Sequence, residues 1–554
     1  MMITVYAIGI IGMALMPGLD ADGNPHSMSL FHAFYFFTYT ATTTGFGEIP
    51  YNFTDEQRLW TIICLYMGVI AWLYAIGSII KLVQNPYLVH AIAEWRFTRS
   101  VQRIWSPFYI VCGFGDTGSL LTRGISDHGM MAVIIDSDEE RIKALALRDY
   151  RVTMPGLCAD ASVPVHLVNA GIKHPKCLGV IALMADEDLN QKIAVMARFL
   201  NPEIKVICRT TSPRHQKHFI AIPGVTIINT FELFASQLRR AVIAPKLHTL
   251  SEWFIGARGF SLDKPMQKMR HGHWILCGYG RMGSCIQREF ATVNIDTVVV
   301  DPIVEHLGEV RQSITAYADA QSLAEADLEN AAGLVVGTGS DADNLGILLH
   351  AHQFRSNALL IVRQNQHENE LAFNAASVDL IMQASLVTAR NILRYLIAPS
   401  MQHVIDHLES VDPKITVGLL DKLKLSFADV KPHLLSVTIG DDTPAVIAAS
   451  ENGLTIRIAD IIRDPNKHDR ELVCVPLAIT RNSKTTVLPS ASEAILKDDV
   501  LLFCATMRDV RRVQTTLRSP QRLSYLITGY EEPSGYFFKW LHRMFPHLMQ
   551  TEKV

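Results

Sequence analysis

"HWILCGYGRMG", residues 273–283, repeats at a distance of 165 positions the stretch "FYIVCGFGDTG", residues 108–118. Each is a short β-rich run that opens into G-x-G-x-x-G, at Gly113, Gly115 and Gly118 in the first copy and at Gly278, Gly280 and Gly283 in the second. Each is followed by a second apolar run ending in an acid, "AVIID" at Asp136 and "TVVVD" at Asp301, 18 residues past the third glycine in both cases (136 − 118 and 301 − 283). This is the pattern of a dinucleotide-binding βαβ unit. Its glycines permit a tight turn, a close approach of backbone to phosphate and close helix packing, and its carboxylate suits ribose hydroxyls. One such motif is weak; two at a single offset set the fold class.

The copies stay in step downstream. "CADAS" (158–162) and "NAGI" (169–172) answer "YADAQ" (317–321) and "NAAG" (330–333), and "ADEDLN" (185–190) answers "SDADN" (340–344). "VICRTT" (206–211) answers "LIVRQN" (360–365), and "RRAVIAP" (239–245) answers "LRYLIAP" (393–399). Residues 107 to about 245 and 273 to about 399 therefore read as duplicated, Rossmann-like doubly wound parallel-sheet lobes. The second copy has room for a smaller α+β C-terminal lobe, about 405–520, whereas the first has only 246–273, enough for a helical crossover such as "LHTLSEWFIGA".

The first ninety residues differ in kind. Leu59 to Ile80 is a run of 22 uncharged, mostly apolar residues, long enough at about 1.5 Å per residue to cross a hydrocarbon core of about 30 Å. Met1 to Met16 is a shorter charge-free run, either a shortened span or the end of one that begins outside this sequence; it has no basic region of the kind a signal peptide carries. Between them Ser29 to Ala41, "SLFHAFYFFTYTA", is too short to cross and suits a re-entrant segment. Asp20 and Asp22 precede it with no Lys or Arg nearby, while Lys81, Arg96, Arg99 and Arg103 follow the long span, so the large C-terminal part is expected on the cytoplasmic side.

At the end of the re-entrant run stands "TATTTGFGEIP", residues 40–50. Irregular backbone at membrane depth is tolerated only where it is buried in protein or lines a watery path. Glycines at 45 and 47 open backbone angles closed to other residues, so that successive carbonyls can point one way and replace the water shell of an ion. The stretch Thr43, Thr44, Gly45, Phe46 and Gly47 resembles the potassium-channel signature T-x-G-Y-G, with Phe46 in place of the usual Tyr and Glu48 in place of the usual Asp. The resemblance makes the long span a pore-lining inner helix. Gly68, 21 residues past Gly47 (68 − 47), stands about where such channels keep a hinge; close helix packing is the other reading of Gly68, and Gly77 is the competing hinge.

The paired lobes in turn resemble the RCK domain, also called KTN or TrkA-N-like. Together with the filter they identify the chain by resemblance as a prokaryotic two-transmembrane potassium channel with tandem RCK domains, of the multi-ligand-gated type. The resemblance implies a homotetramer in the lipid bilayer of the cell inner (plasma) membrane, with eight RCK domains in a cytoplasmic ring. The expected division is pore domain 1–83, linker 84–106, first RCK domain 107–272, second RCK N-terminal lobe 273–404, its C-terminal lobe 405–520 and a tail 521–554. NAD or an adenine nucleotide (ADP or ATP) is the expected regulatory ligand and K+ the permeant ion. Calcium is a further candidate, with the acidic trio Asp186, Glu187 and Asp188 read rather as a solvated turn because an acidic loop followed by Asn recurs in the second copy.

Of the two copies the second is favoured for nucleotide. Arg281 follows its second glycine and suits phosphate at a helix N-terminus, where the first copy has Asp116. Gly278, Gly280, Arg281, Gly283, Asp301, Asp319 and Arg363 are the expected contacts; Gly113, Gly115, Gly118, Asp136, Asp160 and Arg209 are the weaker counterparts.

Composition narrows the alternatives. With 51 basic and 54 acidic residues of 554 and a net charge of −3, there is no electrostatic case for a nucleic-acid partner. Nine cysteines without C-x-x-C spacing read as small buried residues in a reducing compartment. The aromatic and basic tail at 536–549 reads as a terminal helix, and His271 and His273 as surface residues. A membrane-tethered NAD-dependent oxidoreductase would need a separate substrate domain, which the repeat leaves no length for. An RCK-type regulatory subunit of a potassium transporter would not need a filter of its own. The expectation is therefore a ligand-gated channel and not an enzyme.

Overall fold

The computed structural model describes residues 2–220, 222–254, 262, 272–303, 310–427, 430 and 432–529. It divides into two compact units, Met1–Ser100 and Val101–Val554. His271 and the tail stretch 536–549 lie outside the described residues.

The first unit holds helices α1 (Met2–Leu15), α2 (Leu30–Ala41) and α3 (Asp55–Val83), and α4 (Pro86–Gln102) begins in it. Ser29 caps α2, its hydroxyl accepting from the His32 N–H. Thr54 and Gln57 form a reciprocal capping box on α3, with Asp55 and Glu56 in the first turn where the helix dipole favours acids. The capping box starts α3, 29 residues long, at Asp55, ahead of the charge-free stretch that begins at Leu59. Among the described residues α3 is the one helix long and apolar enough to cross a membrane, and α1 is a shorter apolar helix. Large apolar side chains on both, among them Ile3, Leu65 and Ile70, are exposed.

Glycines set how closely these helices approach. A Cβ on Gly9 would strike the Phe37 ring and one on Gly12 the Trp60 indole, and Trp60 Nε1 donates to the Gly9 carbonyl at 3.1 Å. A Cβ on Gly68 would lie 3.1 Å from Ala41 Cβ, so Gly68 is where α3 meets the end of α2. Gly77 faces open space, and α3 runs unbroken through both positions.

The second unit contains two six-stranded parallel sheets and an antiparallel one. Strands β1 (Phe108–Cys112), β2 (Met131–Asp136), β3 (Gly156–Cys158), β4 (Cys177–Ala182), β5 (Lys205–Arg209) and β6 (Val225–Ile228) lie in the order 3-2-1-4-5-6. The second sheet is built from β7 (Trp274–Cys277), β8 (Thr297–Val300), β9 (Ser313–Ile314), β10 (Gly333–Val336), β11 (Leu359–Gln364) and β12 (Leu380–Gln383). Its order, 9-8-7-10-11-12, is the same topology. Strands such as β7, buried along their whole length, are continuously apolar because helices cover both faces of a parallel sheet.

Helix Thr230–Ile243, which follows the first sheet, places Phe231, Phe234 and Leu238 in the core of the second lobe beside Trp274, Met282 and Phe290. Helix Ala384–Ile397, which follows the second, places Ala389 and Ile392 in the core of the first beside Leu121 and Ile125. The lobes have exchanged their last helices, which meet through the hydroxyls of Thr230 and Thr388, 2.6 Å apart.

The crossover Pro245–Phe254 is helical and joins the C-terminal core, where Leu247, Leu250 and Trp253 pack with Met401, Leu423 and Phe427. There β13 (His433–Thr438), β16 (Cys474–Arg481), β17 (Lys484–Val487) and β18 (Val500–Ala505) form an antiparallel sheet in the order 13-18-16-17, beside the short pair β14 (Arg463–Asp464) and β15 (Lys467–Glu471). All nine cysteines are free, seven of them buried and Cys158 and Cys177 half-buried. His273, expected at the surface, is instead half-buried, with Nε2 2.9 Å from the Ala326 carbonyl.

Candidate functional site

At the end of α2 the backbone changes hand repeatedly. Thr43, Gly45 and Gly47 have φ of 59°, 66° and 87°, whereas Thr44 and Phe46 between them lie outside that left-handed region. Such an alternation turns successive peptide units toward one side, the arrangement by which backbone groups make an ion-binding surface. A Cβ at Gly45 or Gly47 would meet nothing within 4 Å, so glycine is required there by conformation and not by space.

Aromatic rings brace the outside of the turn. The Phe46 ring stacks on Tyr35 (centroids 6.3 Å apart, planes at 6°) and meets Tyr39 edge-on at 5.5 Å. The Tyr39 hydroxyl donates to the Gly47 carbonyl at 2.5 Å. Glu48 follows, bound to Arg58 at 2.9 Å and accepting from the Phe53 N–H at 2.7 Å. The hydrogen bonds from Arg58 and then from Phe53 hold the Glu48 carboxyl below the usual carboxylate range.

The second lobe carries a cleft of about 600 Å³ at the carboxyl ends of its strands, bringing together Gly278, Gly280, Arg281, Asp301, Asp319 and Arg363. Gly283 does not line it; a Cβ there would strike the Gly278 carbonyl oxygen, so this glycine seats the helix against the strand. Gly118 has the same relation to Gly113. Asp301 is buried and both its oxygens accept from backbone, Oδ2 from Tyr279 N–H at 2.6 Å and Oδ1 from Ile303 N–H at 2.8 Å. The carboxylate thus shapes the glycine loop while bordering the cleft. Asp319 caps the helix Ala320–Glu325 through Ser322 N–H at 2.9 Å.

Two guanidiniums crowd the cleft. Arg363 lies 4.9 Å and Arg281 5.5 Å from the centroid of the Phe231 ring, which the exchanged helix supplies. Arg363 Nε is buried without a hydrogen-bond partner. Burial, and then the charge of Arg281, push the Arg363 guanidinium below its ordinary range. Arg281, expected on phosphate, donates from Nη1 to Thr211 Oγ1 of the first lobe at 2.6 Å.

In the first lobe Asp136 repeats the brace, accepting from Phe114 N–H at 2.5 Å and Asp138 N–H at 2.8 Å. Here, however, Arg141 reaches back to 3.6 Å from Asp136 and about 3.8 Å from where a Cβ on Gly115 would stand. Its guanidinium thus stands beside Gly115 of the glycine loop. Asp160 accepts from Ser162 N–H at 2.8 Å, and Arg209 donates to the Met184 carbonyl at 3.1 Å.

The acidic trio is committed to structure. Asp186 caps the helix Glu187–Leu200 through Asp188 N–H, and Asp188 lies 2.8 Å from His215 Nε2. Glu187 accepts from the Thr211 N–H at 2.9 Å and hydroxyl at 2.6 Å, from the Thr210 hydroxyl and from the Ser212 N–H. Among the described residues no three His, Cys, Asp or Glu side chains converge as a metal cage. Sequence reading missed Arg141, which stands three residues into a helix after the acid, and missed Phe231 and Thr211, for which only the helix exchange supplies the proximity.

The ion-channel family model matches residues 1–85 and the TrkA-N domain model matches 109–229 and 274–384. Potassium channel protein 1 of Methanocaldococcus jannaschii is 28% identical over 220 residues, covering 39% of this chain and 63% of that protein. Voltage-gated potassium channel Kch of Escherichia coli is 25% identical over 238 residues, covering 41% and 52%. The chain spans less than two thirds of the length of these relatives. Among solved structures the GsuK Channel overlaps 93% of this chain and 96% of its own at 14% identity and a TM-score of 0.49. The chain therefore carries an ion-channel segment followed by two TrkA-N domains and is a relative of archaeal and bacterial potassium channel proteins.

Proposed function

We propose that the protein is a potassium-selective channel, a homotetramer in the plasma membrane, whose pore is gated by a nucleotide bound to the cytoplasmic TrkA-N lobes. The observation that carries this reading is the alternation of backbone hand at Thr43, Gly45 and Gly47 at the end of a short capped helix. Four such turns around an axis supply rings of carbonyl oxygens that replace the hydration shell of K+.

The ligand is proposed to be NAD or an adenine nucleotide, bound in the second-lobe cleft with its phosphates between Arg281 and Arg363. Two cations over one ring, one of them with a buried unpartnered Nε, gain most from an anion between them. A ligand there gates the pore only through its different affinity for two arrangements of the lobes, and four copies multiply that difference. Gly68 and Gly77 are the candidate bending points of the inner helix.

The test is potassium against sodium flux through the purified protein in liposomes, with and without NAD and with and without ADP. Potassium-selective flux altered by either nucleotide is expected. Absence of flux from intact protein would overturn the channel reading and leave a regulatory subunit; flux indifferent to both would overturn the nucleotide gate.

A further inference from the structure

The two glycine-loop helices meet the opposite lobe in unlike ways. Beside Gly280, Arg281 bonds Thr211 and stands 5.5 Å from the centroid of the Phe231 ring. The matching positions on the other side are Asp116, Asn365 and, 154 residues past Phe231 (385 − 231), Ser385 at the second position of the exchanged helix Ala384–Ile397. With no ring and no such arginine to fill it, that side is left as a cleft of about 200 Å³ between the lobes, its lining including Asp116, Leu120, Arg148, Asn365, Gln383 and Ser385. It shares no lining residue with the cleft at Gly278.

The cleft holds a fixed charge of each sign, and the two do not pair. Among the described residues the Asp116 carboxylate takes part in no hydrogen bond and no ion pair. Arg148 rests Nη1 on the Ser119 hydroxyl and lies 5.3 Å from the centroid of the Phe114 ring, which leaves its other N–H donors for an acceptor in the cleft. His367, also in the lining, is engaged with Glu370 at 3.3 Å. The amides are biased toward accepting: Gln383 gives Nε2 to Gln364 Oε1 at 2.7 Å and Asn365 gives Nδ2 to Asp341 Oδ1 at 2.9 Å. Within the described residues neither amide oxygen accepts a hydrogen bond in return. A lone anion meets Asp116 here and a lone cation meets Arg148, whereas a molecule carrying both signs satisfies both.

We propose that this cleft binds a free α-amino acid, its ammonium on Asp116, Asn365 and Gln383 and its carboxylate on Arg148. An ammonium brings donors for a carboxylate and for amide oxygens, and a carboxylate matches the planar fork of an arginine. The volume lies below the range of about 300–1,000 Å³ typical of drug-sized ligands, so a short side chain against Leu120 and Ala384 is what fits. Bound there, the amino acid joins the lobes on the side opposite the Arg281–Thr211 bond. The site stands whether or not the protein conducts potassium.

The experiment is calorimetric titration of the full-length protein in detergent with L-alanine at constant ionic strength, beside ethylamine and propionate, each of which keeps one of its two charges. Saturable binding of L-alanine is expected, with neither single-charge analogue reaching about a tenth of its affinity. Asp116→Asn is expected to weaken it about tenfold or more, and Ser385→Phe, which sets the ring of the other side in the cleft, to abolish it. Asp116 is exposed, so its substitution leaves the core intact. Any of three results would overturn the proposal: no saturation by L-alanine up to about 10 mM, ethylamine or propionate binding as tightly, or undiminished binding in Asp116→Asn.

Discussion

Arg281 of the second lobe donates to Thr211 of the first, and Thr211 in turn gives both its N–H and its hydroxyl to Glu187. The glycine-loop helix of one lobe is thereby fastened to the loop after β5 of the other. Phosphate bound by Arg281 competes with this bond. Arg281→Ala is expected to weaken ADP binding by about tenfold and to alter the nucleotide response of flux, read by calorimetry and by the liposome assay.

Asp301 and Arg363 separate by their structural duties. Asp301→Ala strips an acceptor from two backbone N–H groups, each worth about 1–3 kcal/mol when left unpaired, so it is expected to lower both nucleotide affinity and the melting temperature. Arg363→Ala is expected to lower affinity alone. Thermal unfolding alongside calorimetry distinguishes them, and unchanged affinity in both variants would move the nucleotide site elsewhere.

Gly45→Ala puts a side chain on a residue at φ 66°, at a cost of about 1–2 kcal/mol in each subunit. Loss of potassium flux by at least about tenfold is expected, with elution on size-exclusion chromatography unchanged from the unsubstituted protein. Retained flux would remove the filter assignment.

The two glycines of α3 are expected to part company. Gly77→Ala adds a methyl in open space and gains about 1 kcal/mol of helix propensity. Gly68→Ala presses on Ala41 and is expected to lower thermal stability by about 1–3 kcal/mol. A gating change in Gly77→Ala without loss of stability would mark it as the hinge.

Acid should loosen the two latches after β5 and β11. Burial pushes the Glu187 carboxyl up, but hydrogen bonds from Thr210, Thr211 and Ser212 outweigh it and hold it below the usual range. Asp341, at the matching place, is likewise raised by burial but held lower overall by Asn369, Asn365 and Gln366. A depressed carboxyl contributes stability that is present above its unfolded value, about 4, and lost as pH falls through the folded one. Melting temperature is therefore expected to drop below about pH 4, and less steeply in Glu187→Gln. A slope identical in the variant would show that Glu187 contributes nothing.

The duplication, the doubly wound parallel sheets and the short helix before the glycines were legible because each is written within a few dozen residues, in apolar runs, glycine spacing and an offset of 165 (278 − 113) between the two glycine loops. The helix exchange was not. Phe231 and Ala389 belong to amphipathic helices whose apolar faces fit either lobe, and nothing local states which one. For the same reason Thr211 and Phe231 could not be placed beside Arg281, and Arg141 could be found only once the helix after Asp136 was seen to turn it back beside Gly115.

The exchanged helices also impose an order on synthesis. The core around Leu121 and Ile125 cannot close until Ala389 and Ile392 have been made, about 160 residues after the end of β6 (389 − 228). At translation rates of about 5–20 residues per second that apolar face stays bare for on the order of ten to thirty seconds. The first lobe thus keeps apolar surface uncovered through the making of the second, and a ribosome that stops before residue 384 releases a chain whose first lobe lacks part of its own cover.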